Sequence, residues 1–138
     1  MLARQHGSVL ILTNGNIEDC NTRHAQGGIA APIGANDSPE LHFKDTIAAG
    51  DGLCNEEAVW ILANEAADRI ADLVNYGVPF DTLNGKIALT TEAAHSMARI
   101  LHAGGDATSE HIEITLHKQI MAADIKVLEQ YLVTDILQ

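Results

Sequence analysis

Apolar residues occur along this chain in two different patterns, a short continuous run and a helical periodicity. Residues 8–13 (SVLILT) are apolar on both alternating faces and end at the turn signal Asn14-Gly15, which predicts a buried strand of a parallel sheet. Residues 55–77 repeat apolar side chains at steps of three and four, which predicts an amphipathic helix. Between them, residues 14–36 are rich in glycine, asparagine and small side chains and are predicted to form a loop.

Two helices have clear start and stop signals. The first is predicted over residues 38–49, with Ser38 as its N-cap, Pro39 at the first helical position and Gly50 at its end. The second begins after Asn55, which can cap it, and ends at Gly77. Its predicted buried face consists of apolar residues at helical spacing, namely Val59, Leu62, Ala66, Ile70 and Leu73.

The second half of the chain mixes short strands with one more helix. Residues 84–85 (Asn-Gly) predict a hairpin turn, and residues 98–103 (ARILHA) a short strand. A helix is predicted after Asp106 or Thr108, and residues 125–137 form two strands or one bent strand. No repeat, low-complexity tract or linker interrupts the sequence. The pattern predicts an α/β fold in a single domain over residues 1–138.

Composition excludes several classes of function. The 138 residues contain 19 acidic and 8 basic side chains, a net charge of −11, which would repel the phosphate backbone of a nucleic acid. No apolar run reaches the roughly 18 residues of a membrane helix. The two cysteines, Cys20 and Cys54, form no CxxC pair. A reduced cytoplasmic setting without nucleic acid or membrane partners is therefore expected.

Common catalytic and nucleotide motifs are absent from the sequence. It contains no GxxxxGK[ST], GxGxxG, GxSxG or HExxH pattern, and the histidines of residues 111–117 lack metal-ligand spacing, so no metal site is predicted. Residues 104–109 (GGDATS) are glycine-rich before a helix. They are either a weak phosphate-binding signal or simply a turn and a helix cap.

Two segments concentrate polar chemistry. In residues 23–31 (RHAQGGIAA), paired glycines would let the backbone approach a ligand closely, although a surface turn has the same composition. Residues 90–106 place Glu92, His95, Arg99, His102 and Asp106 around one short strand. From spacing alone, a hydrogen-bonded structural layer and a substrate site are equally compatible with this second segment.

Four motifs together resemble a known family. They are NTRHAQGGIAA, HFKDTIAAGDGLCNEEAV, GVPFD and TEAAHSMARILHAGGDATS, and they occur in the order and spacing of the L-aspartate oxidase branch of the succinate dehydrogenase and fumarate reductase flavoproteins. The resemblance spans residues 8–137. It implies a partial Rossmann-like FAD-binding domain, with a remnant of parallel strands and a helical excursion over residues 38–76.

The resemblance also implies an activity and its partners. Members of this branch use FAD to oxidise L-aspartate to iminoaspartate, the first step of de novo NAD synthesis. The flavin is reoxidised by dioxygen or fumarate, and the product passes to quinolinate synthase. A fumarate reductase or succinate dehydrogenase-type flavoprotein, acting on another dicarboxylate, is the alternative within the family.

Site residues follow by position in the motifs. The FAD-contacting run of the family falls on Asn21, Thr22, Arg23, His24, Ala25, Gln26, Gly27 and Gly28. Asn14 occupies a ribose-proximal position after the second Rossmann strand, and Glu92 matches the glutamate that orients the substrate amino acid. Membrane-type members carry an FAD-linking histidine where this chain has Asn21, so non-covalent FAD is implied. The glycine pair that usually follows the glutamate is Ala93-Ala94 here.

Parts of the family pattern are missing from the sequence. The first Rossmann strand with its GxGxxG does not occur, nor do the segments with the family's catalytic arginine and histidines. The resemblance thus implies an internal fragment, which alone should be inactive and carry little or no FAD. Without that neighbour, residues 8–13 should form a bare edge or pair with another chain. A non-catalytic domain that oligomerises through this edge is therefore a second alternative.

Overall fold

Between residues 2 and 136 the chain forms four α-helices and seven short strands. A computed structural model describes residues 2–136, and its first element is a 3-10 turn at Leu2–Gln5. The elements that follow, in chain order, are β1 (Leu10–Leu12), α1 (Asn21–His24), β2 (Ile29–Ala30), α2 (Pro39–Ala49), α3 (Glu56–Tyr76), β3 (Thr82–Leu83), β4 (Lys86–Ile87), β5 (Leu89–Thr90), β6 (Ile100–Leu101), α4 (Thr108–Ala122) and β7 (Lys126–Leu128).

The strands form three small sheets. β1 pairs in parallel with β7, from Leu10 opposite Lys126 to Leu12 opposite Leu128. β6 lies between β2 and β5 and is antiparallel to both, and β3 and β4 form a hairpin. The parallel pair and the excursion of α2 and α3 between β2 and β3 confirm the predicted α/β architecture.

The helix ends are those that the sequence predicts. The Ser38 hydroxyl accepts a hydrogen bond from the Leu41 N–H at 3.3 Å, and the Asn55 side chain accepts one from Ala58 at 3.0 Å. Gly77 ends α3 with φ = +98°, a conformation that costs other residues strain. Ser38 and Asn55 satisfy amides at helix starts and the Gly77 N–H satisfies carbonyls at a helix end, all within about one turn, which is why sequence alone locates these caps.

The buried face of α3 differs from the prediction at one position. Leu62 is 58% exposed, whereas Ala63 is fully buried. The inward face runs through Val59, Ala63 and Ile70, with Ala66 and Leu73 packed on the core. Leu62 lies only about 20° from Leu73 around the helix axis, but it lines a surface groove with Ala58 and Ile61 and therefore stays exposed.

The core gathers around that face. Its buried members lie in or just after β2 and β6, in α3, and in the segment that follows α3, and they are Ala31, Ile70, Val78, Phe80, Leu101 and Ala103. α2 packs beside α3, where Phe43 and Trp60 meet edge to face with ring centroids 5.7 Å apart. The hairpin at residues 82–87 is also confirmed, with positive φ at both Asn84 and Gly85.

Three strand predictions need correction. β1 is shorter than residues 8–13 and is not buried, because β7 is its one neighbour in the described part of the chain, and Leu10 and Leu12 are 50% and 43% exposed. One edge of β1 is thus paired with β7, and the other has no strand beside it among residues 2–136. The predicted loop 14–36 contains α1 and β2, whose partner β6 is about 70 positions away and leaves no local signal. Residues 131–136 form no strand, and Leu137, which was included in that prediction, lies outside the described residues.

A buried arginine joins α2 to β6. The Arg99 side chain is 0% exposed, and its Nε and NH2 groups each donate to a separate carboxylate oxygen of Asp37 at 2.8 Å. Its NH1 group donates to Asp45 at 2.7 Å. The same Asp45 oxygen accepts hydrogen bonds from the Ser96 amide at 2.8 Å and from its hydroxyl at 2.7 Å. Segments before, within and far beyond α2 are therefore tied together.

The two carboxylates depend on this cation. Burial raises the pKa of the Asp45 carboxyl, but the hydrogen bonds from Ser96 and the Arg99 guanidinium outweigh it and hold the pKa below its usual value. Asp37 keeps only 1% of its side chain exposed. Removing the guanidinium would leave two negative groups with little access to water.

We predict that Arg99→Met lowers the free energy of unfolding by about 3–5 kcal/mol, the cost of uncompensated buried charge. Urea denaturation of the purified chain measures this loss. The matched control is Arg69→Met, because Arg69 is 51% exposed and pairs with Asp72 at 3.2 Å on the surface of α3. That control should change stability by less than about 1 kcal/mol. Equal effects of the two substitutions would contradict the structural role of Arg99.

Candidate functional site

The AQGG loop is held in place by the segment before α4. Gly27 adopts φ = +105°, which glycine tolerates without strain, and its N–H donates to the Asp106 carbonyl at 3.2 Å. Gly28 has a different requirement, since an added Cβ would lie 2.6 Å from the Leu101 carbonyl oxygen of β6. The neighbouring strand therefore explains the second glycine without any ligand.

The run that matches the flavin loop lines a surface cleft. Arg23, His24, Ala25 and Gln26 form one wall, and residues 104–110 form the other, around about 420 Å³. Asn21, Thr22 and Gln26 are exposed and offer amide and hydroxyl groups to a ligand. Asn14 is exposed directly after β1 and does not line this cleft.

Arg23 connects this loop to α4 through acidic partners. Its guanidinium lies 3.5 Å from Glu18, 3.8 Å from Glu110 and 3.9 Å from Glu113. The side chain is 31% exposed, so these contacts are partly solvated. Three carboxylates around one cation leave no excess positive charge for a phosphate. The groups that fit a flavin cofactor here are therefore the exposed polar side chains, since the Gly27 N–H already donates to Asp106.

The GGDATS loop carries its own anion. Gly104 and Gly105 both have positive φ, and their N–H groups donate to the two carboxylate oxygens of Asp81 at 3.0 and 3.2 Å. Thr108 accepts from the Ala103 amide at 3.1 Å and closes the turn. Because the Asp81 carboxylate already accepts from both glycine amides, the structure favours the turn interpretation of this loop over the phosphate-binding one.

Glu92 lies in the loop between β5 and β6. Its side chain is 53% exposed, and its Oε1 atom is 3.7 Å from Nε2 of His102. Arg99 contacts Asp37 and Asp45, so Glu92 and Arg99, which lie in the same polar segment, form no salt bridge with each other. The polar segment therefore divides into a buried structural part around Arg99 and a solvent-facing part around Glu92.

His102 connects the two predicted regions. Its ring packs beside Gly28, where an added Cβ would come 3.0 Å from ring atom Cε1. The ring's Nδ1 lies 3.2 Å from the Gly105 carbonyl, and its Nε2 lies 3.0 Å from the Thr90 hydroxyl. Gly28 of the flavin loop and Glu92 of the substrate segment thus flank one imidazole.

Ala93 and Ala94 replace the family's glycine pair, and one of them keeps a backbone conformation typical of glycine. Ala94 adopts φ = +69°, in the left-handed region that favours glycine. A relative with glycine at this position would form the same loop without strain. The loop is nevertheless fixed in this chain, because Ser96 two positions later binds Asp45.

Sequence reasoning missed the residues that support the site. His42 and Asp45 lie three positions apart on α2 and so share one face of the helix, which is the one local signal available. His42 is 3% exposed, and its ring centroid lies 6.0 Å from that of His95. In the part of the chain that the structure describes, Nδ1 of each ring is buried without a hydrogen-bond partner.

Comparison with known proteins identifies the class. Residues 1–138 match the family described as FAD binding domain, and the chain belongs to that family. The predicted resemblance and its FAD cofactor are thereby confirmed. No helix between residues 2 and 136 is long and apolar enough to cross a membrane. In the same range, no group of three or more histidine, cysteine, aspartate or glutamate side chains is placed to hold a metal ion.

The chain is similar to L-aspartate oxidases. It is 43% identical to that of Streptomyces coelicolor over 129 residues, 93% of this chain and 22% of the relative. The Synechocystis enzyme is 48% identical over 117 residues, 85% of this chain and 21% of the relative. The chain therefore spans about a fifth of the length of these curated relatives.

Solved structures share the fold. Mycobacterium smegmatis Sdh1 in complex with UQ1 superposes with a TM-score of 0.86 at 32% identity, covering 93% of this chain and 24% of Sdh1. Escherichia coli quinol fumarate reductase FrdA, with the E245Q mutation, has a TM-score of 0.83 at 24% identity, covering 93% of this chain and 22% of that chain. These similarities confirm the flavoprotein fold that the motifs predicted.

The buried imidazole on α2 predicts a pH dependence of stability. Burial, followed by the positive charges of Arg99 and His95, lowers the pKa of His42 below its usual value. Below about pH 6.5, the unfolded chain therefore binds a proton that the folded chain resists, so stability falls as the pH drops. We expect the urea midpoint to decrease between pH 7.5 and 5, and His42→Gln to reduce this decrease.

An exposed histidine provides the control for this prediction. His6 precedes β1 and is exposed, so His6→Gln should leave the pH dependence of the urea midpoint unchanged. The lowered pKa of Asp45 affects stability only below its usual value of about 3.9, outside the tested interval. An unchanged slope in His42→Gln would show that the buried imidazole is not the source.

Proposed function

We propose that this chain is part of an FAD-dependent L-aspartate oxidase, which converts L-aspartate to iminoaspartate in de novo NAD biosynthesis. The observation that carries the proposal is the arrangement around His102, where Gly28 and Glu92 flank one ring. Two segments 64 positions apart, one matching the family's flavin loop and the other its substrate glutamate, are therefore neighbours. The similarity to L-aspartate oxidases at 43–48% identity supports the same activity.

Glu92 would bind the substrate's α-ammonium group. Its carboxylate is half-exposed, and among the described residues the one basic side chain within 4.0 Å of it is the His102 ring, so it remains available to a ligand. A carboxylate gives an ammonium a charge-assisted hydrogen bond, about twice as strong as a neutral one. FAD supplies the hydride acceptor, and the role of this chain is to orient the substrate toward it.

The remaining parts of the proposal concern cofactor contacts and setting. Asn14 and residues 21–28 would contact FAD, which would be non-covalent because Asn21 cannot form the histidyl link. Dioxygen or fumarate would accept the electrons, and the product would pass to quinolinate synthase. A cytoplasmic location agrees with the free thiols of Cys20 and Cys54.

The central prediction is that Glu92→Gln lowers kcat/KM for L-aspartate by about tenfold or more. The amide keeps the size of the side chain but loses its charge, and a hydrogen bond to a charged group contributes roughly 1.5–3 kcal/mol. Reduction of fumarate, which has no ammonium group, should change much less. The assay uses a full-length enzyme that contains this segment, for example the Streptomyces coelicolor relative with its matching residues exchanged.

A matched control separates charge in general from charge at this place. Glu57 is an exposed glutamate in the first turn of α3, and Glu57→Gln should leave both activities unchanged. Thermal melting should be similar for both variants. If Glu92→Gln lowers the melting temperature while aspartate kinetics stay intact, Glu92 is structural and the proposed role is wrong.

A fumarate reductase-type flavoprotein is the alternative within the family. The structural similarity to Mycobacterium smegmatis Sdh1, with a TM-score of 0.86, supports this alternative. The same full-length enzyme distinguishes the two proposals through its substrate. Oxidation of L-aspartate supports the oxidase, and oxidation of succinate without activity toward aspartate supports the alternative.

The exposed edge of β1 favours the other alternative, a non-catalytic domain that associates through this strand. Leu10 and Leu12 are about half exposed, and an unpaired edge can accept another strand. Under this alternative, light scattering of the purified chain should give a dimer, and Leu10→Lys should convert it to a monomer. A strictly monomeric chain would contradict association through β1.

A further inference from the structure

The predicted substrate glutamate, Glu92, and two neighbouring side chains, His102 and Thr90, form a group of three hydrogen-bond acceptors. Nε2 of His102 lies 3.7 Å from Oε1 of Glu92 and 3.0 Å from the hydroxyl oxygen of Thr90. The His102 side chain is only 17% exposed, whereas Glu92 is 53% exposed. The ring is therefore more shielded from solvent than Glu92, and we call the group formed by Thr90, Glu92 and His102 the recess.

The protein backbone selects the tautomer of His102. Nδ1 lies 3.2 Å from the Gly105 carbonyl oxygen, which can only accept a hydrogen bond, so Nδ1 carries the hydrogen. In the neutral ring, Nε2 then presents a lone pair toward Thr90 and Glu92. The Gly105 carbonyl is itself fixed, because the Gly104 and Gly105 amides both bind Asp81.

Thr90 has two possible uses for its hydroxyl hydrogen. It can donate to Nε2 of His102 at 3.0 Å, or to the Ile100 carbonyl at 3.5 Å. When the hydrogen turns toward Ile100, lone pairs of both Thr90 and His102 are left facing the recess. The site can therefore change from a state in which Thr90 donates to His102 to a state in which Thr90, His102 and Glu92 all offer acceptor atoms to a ligand.

We propose that Glu92, His102 and Thr90 together bind the α-ammonium group of the substrate, with the Glu92 carboxylate accepting one N–H and His102 Nε2 and the Thr90 hydroxyl oxygen, which lie 3.0 Å apart, sharing another. This inference rests on the proposed function and assigns two substrate-binding residues beyond Glu92. Glu92 supplies the charge, while His102 and Thr90 supply direction, since two neutral acceptors at fixed positions favour an N–H donor that points between them. A hydroxy acid or an unsubstituted dicarboxylate cannot satisfy all three acceptors.

Steady-state kinetics of the full-length enzyme test the assignment. His102→Leu removes the acceptor, and KM for L-aspartate should rise about tenfold or more. His102→Gln keeps an oxygen near the Nε2 position and should restore most of the affinity. Thr90→Val should raise KM by a smaller factor. The inhibition constant of succinate, which has no ammonium group, should stay within about twofold in every variant.

The outcomes separate this inference from the proposed function and from a structural role. If Glu92→Gln weakens aspartate but His102→Leu does not, the inference is wrong and the proposed function stands. If Glu92→Gln has no effect on aspartate, the proposed function itself fails. Equal losses for aspartate and succinate in His102→Leu would show general damage to the site and would overturn the inference. Thr82→Val, at an exposed threonine of β3, is the control for Thr90→Val.

The tautomer gives a readout that does not depend on activity. ¹⁵N NMR of the histidine rings in the 138-residue chain should show His102 protonated at Nδ1 with a free lone pair at Nε2. His102→Gln identifies the signal by its disappearance. A ring protonated at Nε2 in the neutral state would present a donor to the recess and would overturn the proposal.

Discussion

The position of the site depends on the buried guanidinium of Arg99. It binds Asp37 in front of α2, Asp45 within α2, and through Asp45 the loop that carries Glu92. Buried ion pairs add little net stability compared with apolar packing, but they tolerate only one geometry. In this chain that geometry sets where β6 begins, and β6 is the strand that both β2 and β5 join. The flavin loop and the Glu92 loop are thus both positioned relative to the same buried charge, the Arg99 guanidinium.

Two adjacent glycines in the AQGG loop meet different physical demands. Gly27 needs a backbone conformation that side chains disfavour, and Gly28 needs room beside the Leu101 carbonyl. A ligand-based explanation of such a pair is incomplete when a strand packs directly against it. Close packing of this loop on β6 also keeps the ring of His102 against Gly28, so fold and site share the same contact.

Prediction from sequence succeeded where the determining contacts are local. Ser38, Asn55 and Gly77 mark helix ends because each acts on amides or carbonyls within one turn. It failed for β2, whose partner strand β6 is far away in the sequence. It also failed for the Arg99 network, because Asp37 and Asp45 lie 62 and 54 positions from the arginine. The resemblance supplied Glu92 and the flavin loop by position. It could not supply their proximity through His102, nor the use of Asp81 by the GGDATS loop, because those relations exist only after folding.

The internal pairing of Asp81 with the glycine amides has a consequence for how ligands meet this surface. A nest of backbone amides that binds an external phosphate is ordered when that phosphate binds. In this chain the nest is already neutralised by the Asp81 carboxylate, which belongs to the same chain. The Gly105 carbonyl, and with it the orientation of His102, is therefore set during folding. Recognition of an amino group at this recess would then require no prior cofactor-induced ordering, and less of the binding energy would be lost to immobilising the protein.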